Sequence, residues 1–113
     1  MSSCEEYKVF YRDYKHDVSI SSAKAEPLAA DRLVPLAEKL LCNPDNFLGI
    51  EDDKASVLQL YATDADNVVL ELMYSDADGC MQLKCSWQQA MTILEKLPSE
   101  FGDDLLIGAC YVG

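Results

Sequence analysis

Cys85 is the cysteine whose position comes closest to a catalytic arrangement, because it directly precedes Ser86 at the start of a predicted helix. A thiol becomes a good nucleophile when a helix N-terminus or a nearby cation lowers its pKa. Cys85 also continues the apolar alternation of Met81 and Leu83, which favours burial in a core. The sequence therefore favours a structural cysteine, with a small thiol-dependent enzyme using Cys85 as an alternative.

The single histidine, His16, offers little for catalysis. It lies in a polar stretch, and no residue at a recognisable spacing marks a nucleophile or a base partner for it. The five glycines are scattered and form no phosphate-binding loop. We expect no catalytic residues, no cofactor and no enzymatic activity.

The metal-binding patterns are incomplete. The five cysteines are irregularly spaced and include no Cys-x-x-Cys pair. Gly79 fits a calcium-binding loop, but Tyr74 and Cys85 stand where that loop requires carboxylate ligands. We expect no metal site.

The net charge is strongly negative and unevenly distributed. Twenty acidic residues against nine basic ones give a net charge of −11, and residues 43–113 contribute −10 of it. Such a field repels nucleic acid phosphates and anionic membranes, and it accelerates encounter with basic proteins. We expect a basic protein partner and neither nucleic acid nor membrane binding; the alternative is that the acidity serves only solubility.

Short β-prone runs separated by turn residues predict an antiparallel meander. The sequence leaves open whether Val18–Ile20 is a further strand. The predicted strands are Tyr7–Tyr14, Phe47–Glu51, Val57–Ala62, Val68–Tyr74, Cys80–Cys85 and a final edge or returning strand within Leu105–Val112.

Two amphipathic helices flank the central strands. The first has Asp31 as its expected cap and is ended by Asn43-Pro44. The second begins with the capping box Ser86-x-x-Gln89 and stops at Pro98. Their apolar stripes are Leu33, Leu36, Ala37, Leu40 and Leu41 in the first helix, and Trp87, Ala90, Met91, Leu94 and Leu97 in the second.

These elements predict one α+β domain over residues 1–113: a meander sheet of five or six strands with two helices packed on one face. The other face then carries a mixture of apolar and polar side chains that is typical of a protein interface. Its expected members are Val57, Gln59, Tyr61, Val69, Glu71, Met73, Gln82 and Lys84.

Acidic turns are expected to meet at one end of this sheet, since alternate turns of a meander lie at the same end. Glu51, Asp52 and Asp53 would lie near Asp76 and Asp78. Clustered carboxylates attract arginines and lysines of a partner, although aspartate is also simply common in turns. With these five acids, the candidate partner-binding residues are Tyr61 and Glu71 on the exposed face.

The segments Asn46-Phe-Leu-Gly-Ile-Glu-Asp, Val57-Leu-Gln-Leu-Tyr and Val68-Val-Leu-Glu-Leu, followed by a capped helix, resemble small acidic immunity proteins of bacterial interbacterial-competition and polymorphic-toxin systems. The resemblance covers roughly residues 46–97 and includes no diagnostic motif. It implies a cytoplasmic antidote that binds and blocks a cognate toxin without chemistry of its own.

A non-catalytic, immunity-type inhibitor of a basic partner is therefore the expected function. A structural or regulatory subunit that homodimerises through the exposed sheet face is the first alternative. The odd number of cysteines, together with an N-terminus that has no basic start or apolar run, favours reduced thiols and a cytoplasmic location.

Overall fold

The computed structural model describes residues 6–43, 45–52, 54–64, 66–74, 80–98, 101, 105–106 and 108–112. These residues form an antiparallel sheet of eight strands and two α-helices. The elements are β1 (Glu6–Asp13), β2 (Val18–Ile20), β3 (Glu26–Ala29), α1 (Leu33–Leu40), β4 (Phe47–Glu51), β5 (Val57–Ala62), β6 (Asn67–Met73), β7 (Cys80–Ser86), α2 (Trp87–Glu95) and β8 (Cys110–Val112).

The strand order is β2-β1-β4-β5-β6-β7-β8, with β3 also paired to β1. Strands β4 to β7 are sequential neighbours, which confirms the predicted α+β meander. The chain has more strands than expected because β2 and β3 add two short strands next to β1.

Strands β2 and β3 share one edge of β1, because β4 occupies the other. Tyr11 pairs with Ile20, and Val9 pairs with Glu26. The single residue Phe10 therefore lies opposite residues 21–25, which include a short 3₁₀ turn at Ser22–Lys24. The sequence does not predict this interruption, since the polar stretch contains no recognisable bulge signal.

Leucines aligned across the central strands build the core. Leu48, Leu60, Leu70 and Leu83 are successive cross-strand partners, and the first three are fully buried. Both helices add buried side chains to the same hydrophobic cluster, among them Leu33, Ala37, Leu40, Ala90, Met91 and Leu94.

Helix α1 begins differently from the sequence prediction. Asp31 lies in a 3₁₀ turn over Ala30–Arg32, and the residue in the N-cap position is Arg32, which makes no side-chain capping bond. The predicted Asp31 cap is therefore wrong. Pro35 occupies the third helical position, where a missing amide costs nothing.

The start of helix α2 agrees with the prediction. The Ser86 hydroxyl accepts a hydrogen bond of 3.2 Å from the Gln89 amide. The reciprocal bond from the Gln89 side chain is absent among the described contacts, so half of the capping box is formed. The helix ends at Glu95, before Pro98.

Phe101 connects the C-terminal part of the chain to Asp52, and β8 pairs with the sheet. Among the described residues of the predicted Leu105–Val112 run, Cys110–Val112 forms a strand, which pairs with β7. The Phe101 amide donates to Asp52 Oδ2 at 2.7 Å, and the Phe101 ring stacks on Tyr7 with centroids 6.1 Å apart. The Tyr7 hydroxyl lies 2.7 Å from the Leu97 carbonyl oxygen.

A buried polar junction joins β1, α1 and β4. The Asn46 amide group donates to the Leu40 carbonyl at 3.0 Å and to Asp13 Oδ1 at 3.2 Å, and its oxygen accepts from the Tyr14 amide at 2.8 Å. His16 Nδ1 lies 2.8 Å from Asp13 Oδ2. The hydrogen bond with His16 is the main reason that the pKa of Asp13 lies below its ordinary value.

The Asn46→Ala variant should lose about 2 kcal/mol of unfolding free energy, because buried groups of Leu40, Asp13 and Tyr14 lose a hydrogen-bond partner. Urea unfolding followed by circular dichroism measures this loss. Asn67→Ala is the matched control, since Asn67 bonds to Asp64 at an exposed turn. Equal losses in the two variants would contradict a stabilising role for the buried junction.

Candidate functional site

One face of the sheet forms the candidate site, which we call the open face. Its side chains alternate with those of the leucine core along each strand, and cross-strand pairing arranges them in three rows. The end row holds Lys8, Glu51, Val57, Met73 and Cys80; the central row holds Phe10, Gly49, Gln59, Glu71, Gln82 and Cys110; the aromatic row holds Arg12, Phe47, Tyr61, Val69 and Lys84.

Every residue that the sequence placed on the exposed sheet face lies on the open face. The sequence missed the contribution of β1, namely Lys8, Phe10 and Arg12. Their alternation with buried Tyr7 and Val9 was a usable signal. This alternation does not reveal which strand pairs with β1, because β1 and β4 are far apart in sequence.

Phe10 covers one part of the open face. Its ring lies across Gly49 and is only 7% exposed, and it makes an edge-to-face contact with Phe47 at 6.5 Å between centroids. A Cβ at position 49 would overlap the Phe10 ring. Position 49 therefore requires glycine, because the Phe10 ring lies against its backbone. The same ring fills the β1 end of the central row.

Phe47 and Tyr61 remain partly exposed next to that filled region. They are direct cross-strand partners in the aromatic row, and both are half-buried. Arg12 stands beside Phe47 in the same row, and its guanidinium lies 4.6 Å from the centre of the Tyr14 ring. Aromatic residues and arginine are the types that most often anchor protein interfaces.

Glu71 is the polar centre of the open face. Gln82 Nε2 donates to Glu71 Oε2 at 3.1 Å, and the Cys80 thiol lies 3.9 Å from the same oxygen. Burial raises the pKa of Tyr61, and the negative charge of Glu71 raises it further. Tyr61 and Glu71, two of the predicted partner-binding residues, are thus electrostatically coupled.

The other predicted partner-binding residues lie at the end-row side of the sheet. Glu51 is on the open face opposite Lys8. The shared row of Glu51, Val57, Met73 and Cys80 shows that β4 and β6 finish, and β5 and β7 begin, at the same end of the sheet. Asp53, Asp76 and Asp78 lie outside the described residues.

Asp52 has a structural role that the sequence did not reveal. Besides the Phe101 amide, its carboxylate accepts hydrogen bonds from the Ser56 amide at 2.8 Å and the Lys54 amide at 2.9 Å. These three backbone donors leave fewer acceptor positions on the carboxylate for a partner cation. The two bonds within the turn have a local sequence signal, the Asp-x-Lys-x-Ser spacing. The bond to Phe101 has no such signal, because the two residues are far apart in the chain.

The charge of the open face differs from that of the whole chain. Its three rows carry three cations, Lys8, Arg12 and Lys84, and two carboxylates, Glu51 and Glu71. Glu6 lies on the same side of β1, and Arg12 lies 3.7 Å from Asp17 Oδ1, so the face is close to neutral. The net charge of −11 therefore arises from residues outside it. The face itself presents both signs around an aromatic pair.

Neither Cys80 nor Cys85 has the lowered thiol pKa of an activated nucleophile. Burial raises the pKa of the Cys85 thiol, and burial together with Glu71 raises that of Cys80. His16 is bound by Asp13, which is itself held by Asn46. Within the described residues, no group of three or more histidine, cysteine or acidic side chains could hold a metal ion, and no helix is long and apolar enough to cross a membrane.

In the Glu71→Gln variant the pKa of Tyr61 should fall toward its ordinary value of about 10, because the negative charge that disfavours tyrosinate is removed. Part of the elevation should persist, since burial is its larger cause. A pH titration of the tyrosine ring-carbon NMR shifts measures the change. Glu51→Gln is the matched control and should leave the pKa of Tyr61 unaltered. An unchanged Tyr61 pKa in Glu71→Gln would contradict the electrostatic coupling between Glu71 and Tyr61.

Iodoacetamide should label Cys85 far more slowly in the native protein than in urea, because its thiol is buried and its pKa is raised. Mass spectrometry of the digested protein measures both rates. The exposed Cys42 serves as the internal control. Native labelling of Cys85 faster than in the unfolded chain would instead support a thiol-dependent enzyme.

Comparisons with protein-family models, curated proteins and solved structures give no match for this chain.

Proposed function

We propose that this protein is a non-catalytic binding module that docks a basic partner protein on its open face, as an immunity-type inhibitor docks its toxin. One observation carries the proposal. An aromatic pair, Phe47 and Tyr61, lies half-exposed on a sheet face against which no described helix packs its buried side chains.

The two parts of the charge distribution have different roles in this proposal. Acidic residues outside the open face create the long-range attraction that accelerates encounter with a basic protein. On the face, Arg12 and Lys84 flank the aromatic row, and Glu71 lies beside it. These fixed charges of both signs select a partner with the complementary arrangement, so specificity and attraction come from different residues.

The aromatic row can be tested once a partner is isolated. The wild-type protein is immobilised, incubated with a lysate of its source and washed at low and then high salt. Retention of one basic protein at high salt identifies the partner. Tyr61→Ala should then weaken its affinity by about thirty-fold, through faster dissociation, if Tyr61 is an interface anchor.

Surface plasmon resonance at several salt concentrations measures these rates. Gln88→Ala, an exposed change on α2, is the control and should bind normally. Circular dichroism verifies that Tyr61→Ala is folded. Unchanged affinity in folded Tyr61→Ala would contradict the proposal that the partner binds the open face.

The acidic turns require a separate variant. Neutralising Asp53, Asp76 and Asp78 together should slow association and flatten its salt dependence. Asp52 is excluded because its carboxylate holds the turn and Phe101. The matched control neutralises the exposed Asp31, Glu38 and Glu95, which changes the net charge equally. Equal effects in the two triple variants would show that the acidity acts only through net charge.

A homodimer is the second candidate, because a face bearing both Lys84 and Glu71 can complement its own copy. Light scattering of the purified protein distinguishes the two functions. A monomer supports the heterologous partner, whereas a dimer that Tyr61→Ala dissociates would assign the open face to self-association.

A further inference from the structure

A second concave surface lies on the opposite side of β1 from the meander, between the sheet edge and helix α1. It is an open groove with a volume of about 380 Å³, which is within the range of roughly 300–1,000 Å³ found for small-molecule sites. None of its lining residues is in the three rows of the open face, and Pro27, the cross-strand partner of Lys8, is the one lining strand residue on that side of the sheet. We call it the edge groove.

The floor of the edge groove is a part of the core that is left uncovered. Ile20 is the cross-strand partner of Tyr11, and Leu28 is the partner of Tyr7, so both point to the core side of the sheet. Tyr11, Leu28 and Leu36 pack against the buried cluster but stay partly exposed. Strands β2 and β3 thus extend the apolar surface of the sheet beyond the helix.

Helix α1 supplies the charged wall of the groove. Arg32, Pro35, Leu36 and Lys39 line it and follow the spacing i, i+3, i+4, i+7, beside the buried stripe of Leu33, Ala37 and Leu40. Arg32 and Lys39 are about 10 Å apart along the helix axis, at 1.5 Å per residue. Neither makes an ion pair with a described residue.

The groove is therefore locally cationic on a strongly acidic protein. Glu26 is the one carboxylate in its lining, against Arg32 and Lys39. An apolar ligand with a negative head group satisfies both features, because its body covers the exposed floor while its head approaches Arg32 or Lys39. A cationic ligand of the same shape would gain only the apolar contact and would meet repulsion.

A strand-adding peptide fits the same edge poorly. Strand β3 has only four residues, and Pro27 within it lacks an amide hydrogen. Short edge strands with proline resist pairing with another strand. The volume and the blunted edge both favour a small molecule over a polypeptide.

We propose that the edge groove binds a small amphipathic anion, a carboxylate with an apolar chain. This site is independent of the open face, and its function does not rest on the proposed protein partner.

The test uses the full chain labelled with ¹⁵N and titrated with octanoate, octylammonium and acetate. Octanoate should shift the amide signals of Ile20, Leu28 and Leu36. Acetate lacks the apolar chain and should shift none of them. Octylammonium keeps the chain but reverses the charge, and it should bind about five-fold more weakly, the upper value for the loss of one exposed ion pair.

Surface variants test the cations without disturbing the core. Arg32→Gln and Lys39→Gln should each weaken octanoate binding by about two- to five-fold. Lys15→Gln, an exposed cation in the β1–β2 turn, is the control and should leave it unchanged. The proposal is overturned by an absence of localised shifts up to the solubility limit of octanoate. Equal binding of octanoate and octylammonium would likewise overturn it, as would full affinity in the Arg32→Gln/Lys39→Gln double variant.

Discussion

Cross-strand alignment of the leucines in β4, β5, β6 and β7 is the constraint on which the rest of the structure depends. Side chains of a strand alternate between its two faces, so a slip of one residue would move every leucine from the core to solvent. Leu48, Leu60 and Leu70 are fully buried as direct partners, which makes such a slip costly. The same alignment forces Phe47 and Tyr61 together on the other face and brings alternate acidic turns to one end. The candidate interface is thus a geometric consequence of the core.

The negative charge of the protein lies mainly outside the open face. Acidic side chains concentrate outside the open face, while the face holds cations and carboxylates in near balance around the aromatic row. Attraction over a distance needs only net charge, whereas close contact needs matched groups in fixed positions. Asp52 illustrates the difference: it contributes to the net charge, but its carboxylate is committed to backbone amides of the fold. Counting acids in turns therefore overstates how many carboxylates are available to a partner.

Sequence patterns predicted what depends on neighbouring residues and missed what depends on distant ones. Alternation in Val57–Ala62 assigned both faces correctly, and Ser86 was recognised as a cap, because those signals are local. The pairing of β1 with β4 and the bond between Phe101 and Asp52 join residues far apart in the chain, and no local pattern encodes them. The Asp31 prediction failed because a 3₁₀ turn occupies the position just before α1, so Arg32 became the N-cap residue.

Phe10 shows why the two candidate sites lie where they do. On the open face its ring fills the space above Gly49, which closes the β1 side of the central row and leaves Tyr61 and Glu71 as the accessible region. At the outer edge of β1, residues 21–25 loop out opposite this same residue, so that β2 and β3 flank the interruption as two short strands. The interrupted edge is too irregular for strand addition. Ile20 and Leu28, on either side of the interruption, lie on the floor of the edge groove. One strand position thereby bounds the open face on one side of the sheet and lies beside the edge groove on the other.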